Sequence, residues 1–453
     1  MSQPGVARGL GLGSATALVI SNTVAVGIFL TPAELIGAVA SPALTFGLWL
    51  GCGALILAGA LSFGELASRF PQAGGLYVYL REGWGRRVAF LYGWQSLLIM
   101  DPGLTAALAA GAAQYLVVIW PGAAGVERWL AVAVIWFVAL LNMVGLRIGA
   151  RVFGLLTILK LCTFFGVVIL ALTTGHGSWS HFVPFAGPRL GAPPLGAALA
   201  GGLVAVFFSF GGFWETSRIA AEMREPQRTL PRALVLGVLS VTAIYMLTTV
   251  AFMYLVPASA TTSASEFARR AGEALLGARG PVVLATVVVL SVVPSAMAMV
   301  MVAPRLYEAM SYDGLFPAAI AVRHASTGAP LRATAVLAML ATVYALLGTF
   351  EQIAAFFMCT TLGFVGLAAA AVFVVRDTNQ RNNSGRAGRS TFRAPGYPLT
   401  PALFVVLVLT IVAMVAVNRP VQAAAGLVLM LIGLPLSRVL TASRQIRLAE
   451  GGR

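Results

Sequence analysis

Lysine is all but missing from this chain. Of its 30 basic residues only Lys160 is a lysine, and the other 29 are arginine. Charge of any sign is scarce, at 10% of 453 residues, which excludes a soluble globular protein because its surface would need far more. The three cysteines, Cys52, Cys162 and Cys359, sit in separate apolar runs without metal-ligand spacing. That excludes a cysteine metal site and reads as three small core residues. The three histidines, His176, His181 and His324, fall between the apolar runs, and no catalytic triad or zinc motif is visible. Without a nucleophile–base or metal constellation, the chain is not read as an enzyme and no cofactor is implied. Alternating ten-residue segments are missing too, which excludes an outer-membrane barrel. The first apolar run carries no small-residue cleavage pattern and is kept as a helix rather than a signal peptide.

What is present is hydrophobic: 59% of the residues, with a mean hydropathy of +0.90. Apolar runs long enough to cross a hydrocarbon core of about 30 Å recur throughout. The fold class expected is an all-α polytopic membrane protein. Twelve spans are expected at 12–36, 43–68, 88–118, 128–144, 151–173, 195–217, 232–256, 281–304, 333–349, 352–375, 399–417 and 420–440. With the N-terminus inside, 23 arginines fall in inside segments and six outside. This asymmetry predicts both termini in the cytoplasm and an inner or plasma membrane location. It also accounts for most of the +15 net charge without a nucleic-acid partner. The 49 glycines suit a closely packed helix bundle. The segment Asp377–Thr391 reads as a polar cytoplasmic loop, and no separate soluble domain is expected.

Two spans carry interruptions. Span one holds Ser21-Asn-Thr23 and Gly27, and span six holds Gly211-Gly212. They occupy corresponding positions if spans one to five and six to ten are two halves, and paired interruptions of this kind point to a transporter site. Taken singly, each glycine is better explained by close packing; taken together, at matched positions, the paired site is the better reading. Lys160 lies about 13 Å into its helix at about 1.5 Å per residue, near midplane. A buried ammonium there needs partners in the protein interior, the alternative being a side chain that snorkels to an interface. Asp101 is a second intramembrane charge, either functional or a structural partner for a helix broken at Pro102. Glu215 ends span six, within reach of water. Glu65, Arg69, Glu222, Arg228, Arg305 and Asp313 read as loop-bracing or gate charges, mostly in ion pairs.

Four motifs carry a family resemblance. They are Ala25-Val26-Gly27-Ile28-Phe29; Glu65-Leu-Ala-Ser-Arg-Phe-Pro-Gln-Ala-Gly-Gly-Leu-Tyr77-Val-Tyr79; Phe208-Ser-Phe-Gly-Gly-Phe213 followed by Glu222-Met-Arg-Glu-Pro226-Gln-Arg228-Thr-Leu-Pro231-Arg232; and Pro304-Arg305-Leu-Tyr-Glu-Ala-Met-Ser-Tyr-Asp313-Gly314-Leu-Phe-Pro317. In this order they resemble the amino acid–polyamine–organocation superfamily, in particular the L-type amino acid transporters and their bacterial relatives. Fructoselysine-type permeases are also similar. The resemblance implies a leucine-transporter fold in one transmembrane domain, 1–453. Its five-plus-five inverted repeat would span 12–173 and 195–375, with two additional helices in 399–440.

The resemblance also implies a site. A substrate carboxylate would meet the backbone at Val26, Gly27 and Ile28. Its ammonium would meet carbonyls around Val24, Ala25, Phe208, Ser209 and Phe210, beside Gly211, Gly212 and Phe213. Phe208 would cover the substrate. Lys160 is similar to a lysine that substitutes for sodium in relatives, and Ser295 matches a position that contacts it; Asp101 is a candidate for the same ion-coupling group. Ala25, Val26, Phe213, Trp214 and Met299 depart from the family pattern, so a preference for large neutral amino acids is not carried over.

The function expected is a secondary transporter of an amino acid or related amine, sodium-independent, by proton symport or exchange. The alternative is a channel or sensor on the same fold. The expected partners are the small-molecule substrate, protons if coupling is by symport, and the lipid bilayer. No cysteine falls in an outside loop, so no disulfide-linked subunit is expected.

Overall fold

Backbone polar groups in hydrocarbon must be satisfied within their own segment, so apolar runs of this length fold as helices. The computed structural model describes residues 9–24, 27–144, 146–186, 194–257, 264–324, 328–348, 350–381 and 392–450. The N-terminal part holds α1 (Leu12–Thr23), α2 (Gly27–Val39), α3 (Pro42–Arg69), α4 (Leu76–Trp84) and α5 (Arg86–Gln95), then α6 (Asp101–Ile119), α7 (Glu127–Val144) and α8 (Leu146–Thr173). There follow α9 (Leu195–Ser209), α10 (Pro226–Leu255), α11 (Ala264–Leu276), α12 (Gly280–Tyr312), α13 (Ala318–Ala321) and α14 (Leu331–Leu347), and then α15 (Phe350–Arg381), α16 (Leu399–Asn418) and α17 (Pro420–Glu450). The described residues include no strand beyond one isolated bridge, between Leu10 and Met223.

The chain is a multi-pass membrane protein. Nine helical stretches among the described residues are long and apolar enough to cross a bilayer. The other three expected spans differ. Span 12–36 is divided between α1 and α2. Helix α14 has 17 residues, and the part of α17 whose side chains are described, Pro420–Pro435, is apolar. Several helices outrun their apolar cores: α10 starts at Pro226 and α12 continues to Tyr312. Their polar ends are held by ion pairs. Arg305 on α12 meets Glu222 at 2.7 Å, and Glu308 meets Arg323 at 2.7 Å. The expected loop from Asp377 starts later, because α15 runs to Arg381; residues 382–391 lie outside the described residues.

The inner helices are α1, α3, α6, α10 and α12, with α3 against α10, α6 against α12, and α1 on α10. Small residues set these separations. A Cβ on Gly237 of α10 would fall 2.4 Å from Val19 of α1, and one on Gly53 of α3 would fall 2.9 Å from Thr242 of α10. In a bilayer such close packing supplies much of the association energy.

Helix α8 shows how the remainder is arranged. Leu155, Ile158, Cys162, Phe165 and Ile169 are exposed along one face, where lipid would lie. Thr157, Lys160, Phe164 and Val168 face the bundle. The reading of Cys162 as a core residue is therefore corrected: in a membrane span an apolar neighbourhood does not separate interior from lipid. Cys52 is buried, and the side chain of Cys359 lies outside the described residues.

The bracing charges form ion pairs at helix ends. Glu65 accepts from Arg69 (2.8 Å), from Arg376 Nε (2.8 Å) and from the Ala394 amide (2.9 Å), joining the ends of α3 and α15. Asp313, after α12, accepts from Arg81 of α4 at 2.6 Å and from Tyr77 at 2.5 Å. Arg228 makes only an exposed contact with Glu225 at 3.7 Å.

Candidate functional site

Helix α1 stops at Thr23 and α2 restarts at Gly27, with Val24 extended at φ −76°, ψ 96°. Ala25 and Val26 lie outside the described residues, so the expected carboxylate contact at Val26 does too. Where a helix stops, its last carbonyls lose their intrahelical partners and must find others. Here they find Lys160. Its Nζ donates to the carbonyl of Val24, to that of Ser21 at 3.3 Å and to Ser295 Oγ at 2.9 Å. Ser295 Oγ in turn lies 2.9 Å from the Ser21 carbonyl and 3.1 Å from that of Val24, to either of which its single proton can be donated. Lys160 is buried at 1% exposure, so its side chain does not snorkel. Among the described residues no carboxylate pairs with it; its charge rests on backbone dipoles and one hydroxyl.

The second break follows α9. The Gly211 amide turns back to the Phe208 carbonyl at 2.9 Å. Gly212 takes φ +98°, and a tight 3-10 turn, Phe213–Glu222, continues the chain. Gly212 is required twice over: its φ is left-handed, and a Cβ there would stand 2.7 Å from the Asn22 carbonyl. Gly212→Ala is accordingly expected to cost about 1–3 kcal/mol, read as a lowered unfolding temperature in detergent; a variant as stable as wild type would show that the two breaks do not hold this approach.

The breaks meet face to face. A Cβ on Gly27 would lie 2.9 Å from Ser209 Oγ, and Thr31 Oγ1 is 2.6 Å from that same oxygen. The Tyr245 hydroxyl of α10 spans both, at 2.5 Å from the Ser209 carbonyl and 3.1 Å from that of Thr23.

A cavity opens beside them. Asn22, Thr23, Gly27, Phe208, Ser209, Gly211 and Gly212 form its broken-helix wall. Met100, Leu104, Leu108 and Phe207, with Met299, Phe357, Met358 and Leu362, form an apolar wall. Trp214, Glu215, Ser295 and Thr361 complete it. Of the expected substrate-contact and ion-coupling residues, Gly27, Phe208, Ser209, Gly211, Gly212 and Ser295 line this space. Val24 and Ile28 are buried outside its wall. Phe210 packs on Trp49 and Tyr245, and Phe213 on Phe63, Trp214 and Phe404. Lys160 is not on the cavity wall and meets it through Ser295. Met299 lines the cavity instead of adding a hydroxyl to the lysine.

Asp101 goes elsewhere. No break occurs at Pro102: the helix runs on from Arg86 to Ile119 through a π-helical turn, Ser96–Met100, and the Leu98 carbonyl that a Pro102 N–H would have met accepts from the Tyr344 hydroxyl at 2.6 Å. The Asp101 carboxylate accepts from Arg218 Nη1 at 3.0 and 3.1 Å and from the Tyr307 hydroxyl at 2.6 Å. It is not grouped with Lys160 or on the cavity wall. Arg218, one residue beyond the expected end of span six at 217, is buried at 1% exposure rather than solvated. Its Nη2 donates to the Tyr92 hydroxyl at 3.1 Å, and its Nε lies 2.7 Å from Glu215 Oε2. Glu215, expected near water, is buried at 1% exposure. The signal for both was the Glu215-x-x-Arg218 spacing straight after an apolar run, which puts acid and base on one face of a helical turn.

Several known proteins resemble the chain. A family model described as amino acid permease matches residues 10–434. A serine/threonine exchanger of Bacillus subtilis (strain 168) is 25% identical, over 95% of this chain and 96% of its own. The human b(0,+)-type amino acid transporter 1 is 26% identical over 82% of this chain and 76% of its own. The human cystine/glutamate transporter is 26% identical over 92% and 82%.

Proposed function

This chain belongs to the amino acid permease family, a family of transporters rather than enzymes, and from that premise we propose that it is a secondary transporter carrying an amino acid or related amine by alternating access. In this reading the substrate binds at the two breaks, with its carboxylate at the start of α2 and its ammonium at the carbonyls ending α1 and α9. Half-helix termini carry the partial charges such groups need. The names of the relatives, an exchanger of serine and threonine and transporters of amino acids, support the substrate class.

The fold proposed is twelve spans, with inverted repeats at 12–173 and 195–375 and two added helices in 399–440. Both termini are assigned to the cytoplasmic side of a cell membrane, from the arginine distribution.

Transport is sodium-independent in this proposal, by proton symport or by exchange. The observation that carries it is the Lys160 ammonium on the carbonyls of Ser21 and Val24 and on Ser295. Oxygens set free by a helix break and a serine hydroxyl are the ligands a bound alkali cation would use, and here a tethered cation occupies them. The test is counterflow of labelled amino acids by the purified protein in liposomes. Uptake against unlabelled internal substrate, equal in sodium and in choline, is the expected result. A defined sodium stoichiometry would sink the sodium-independent part, and conductance far above carrier turnover, or binding without counterflow, would sink the carrier.

A further inference from the structure

The buried carboxylates beside the cavity outnumber the cations paired with them, since Lys160, the other buried cation there, rests on the carbonyls of Ser21 and Val24. Two carboxylates, Asp101 and Glu215, share one guanidinium, Arg218. Asp101 takes both of its oxygens to Arg218 Nη1 and adds the Tyr307 hydroxyl. Glu215 receives what is left. Its Oε2 is 2.7 Å from Arg218 Nε without hydrogen-bond alignment, and beyond that pair and the neighbouring Trp214 indole no described group completes its oxygens. Glu215 and Trp214 both form part of the cavity wall. A buried carboxylate with unused acceptor capacity, facing a space otherwise walled by Phe208, Phe357 and methionines, is costly unless something in that space completes it.

We propose that Glu215 receives a second, cationic group of the substrate, so that the cavity selects a dibasic amino acid or diamine over a neutral amino acid of equal length. This rests on the transporter reading above and adds the substrate class. Glu215 lies three residues beyond Gly212, about 6 Å along a 3-10 turn rising about 2 Å per residue. That suits a ligand whose α-amino acid end sits at the breaks and whose short aliphatic stem ends in an ammonium or guanidinium. Aromatic faces along the stem, Phe208 and Trp214 among them, also favour a cation.

The experiment compares lysine with norleucine, which has the same stem without the terminal amine. Binding to the full-length protein in lipid nanodiscs is measured by calorimetry, alongside ornithine, putrescine and leucine. The wild type is expected to bind lysine at least about tenfold more tightly than norleucine, the scale of one charge-assisted hydrogen bond. In Glu215→Gln the ratio should fall toward one, and in Glu215→Asp the preference should persist in weakened form. Lysine preference unchanged in Glu215→Gln overturns the proposal. So does norleucine binding as tightly as lysine in the wild type, which needs no variant to fold; protonation of Glu215 in place of a substrate cation would give that result. Binding of neutral amino acids alone refutes this inference and leaves the transporter reading standing. Binding of none of these ligands refutes both.

Discussion

Lys160→Ala is expected to lower the rate of amino acid counterflow by about a hundredfold or more while the protein still folds. The ammonium satisfies the carbonyls of Ser21 and Val24 and the hydroxyl of Ser295. Removing it leaves Ser295, with its single proton, to serve only one of the two carbonyls, so that at least one polar group is stranded at the break, where all three residues are at most 2% exposed. Each stranded group costs about 1–3 kcal/mol, and each 1.4 kcal/mol is about tenfold in an equilibrium. Much of that cost falls on the conformation of the break, because α1 and α2 have no helical bonding there to fall back on. Lys160→Arg should not rescue it, since a planar guanidinium cannot present three converging donors to two carbonyls and a hydroxyl as an ammonium does. Counterflow in liposomes, with protein integrity followed by size exclusion, is the measurement. Unchanged transport across pH would make the lysine a structural element only.

Arg218→Met is expected to have the largest effect on stability, about 3–5 kcal/mol. It leaves Asp101 and Glu215 buried with no counterion, and the Tyr307 hydroxyl can donate to Asp101 but not neutralise it. Unfolding in mild detergent measures it. The double variant Asp101→Asn with Arg218→Met should be less destabilised than the sum of its parts, because removing the acid also removes the orphaned charge. Additive losses would show that the two residues do not act as a pair. Glu215 should matter least of the three for folding, since Asp101 alone still holds Arg218. This is why the substrate-class test can use Glu215→Gln.

Several site features were legible in the chain because each leaves a local trace. A lone lysine within an apolar run must be buried, and glycine pairs and a Ser-Asn-Thr cluster mark where a helix can stop. Other features were misplaced for one physical reason. Arg218 and Glu215 follow the last apolar residues of their span, the usual position of a wet helix end. Whether such a charge is solvated depends on what packs over it, and here α6 and α12 bring Asp101 and Tyr307 onto it. Cys162 was misread in the opposite sense, because lipid and protein interior look alike to an apolar sequence.

The sequence by itself determined the membrane-spanning helical character, the interruptions in spans one and six, and the burial of a single ammonium. Hydrophobic length, backbone satisfaction and the cost of a charge in hydrocarbon act residue by residue along the chain. Only the tertiary structure decided that the interruptions face each other across Ser209 and Tyr245. It alone put Lys160 on the carbonyls of one of them and left Glu215, not Asp101, on the cavity wall. The pairings of Lys160 with Ser21, Thr31 with Ser209 and Arg218 with Asp101 join residues more than a hundred positions apart, and no local pattern encodes which of several buried polar groups will find which partner.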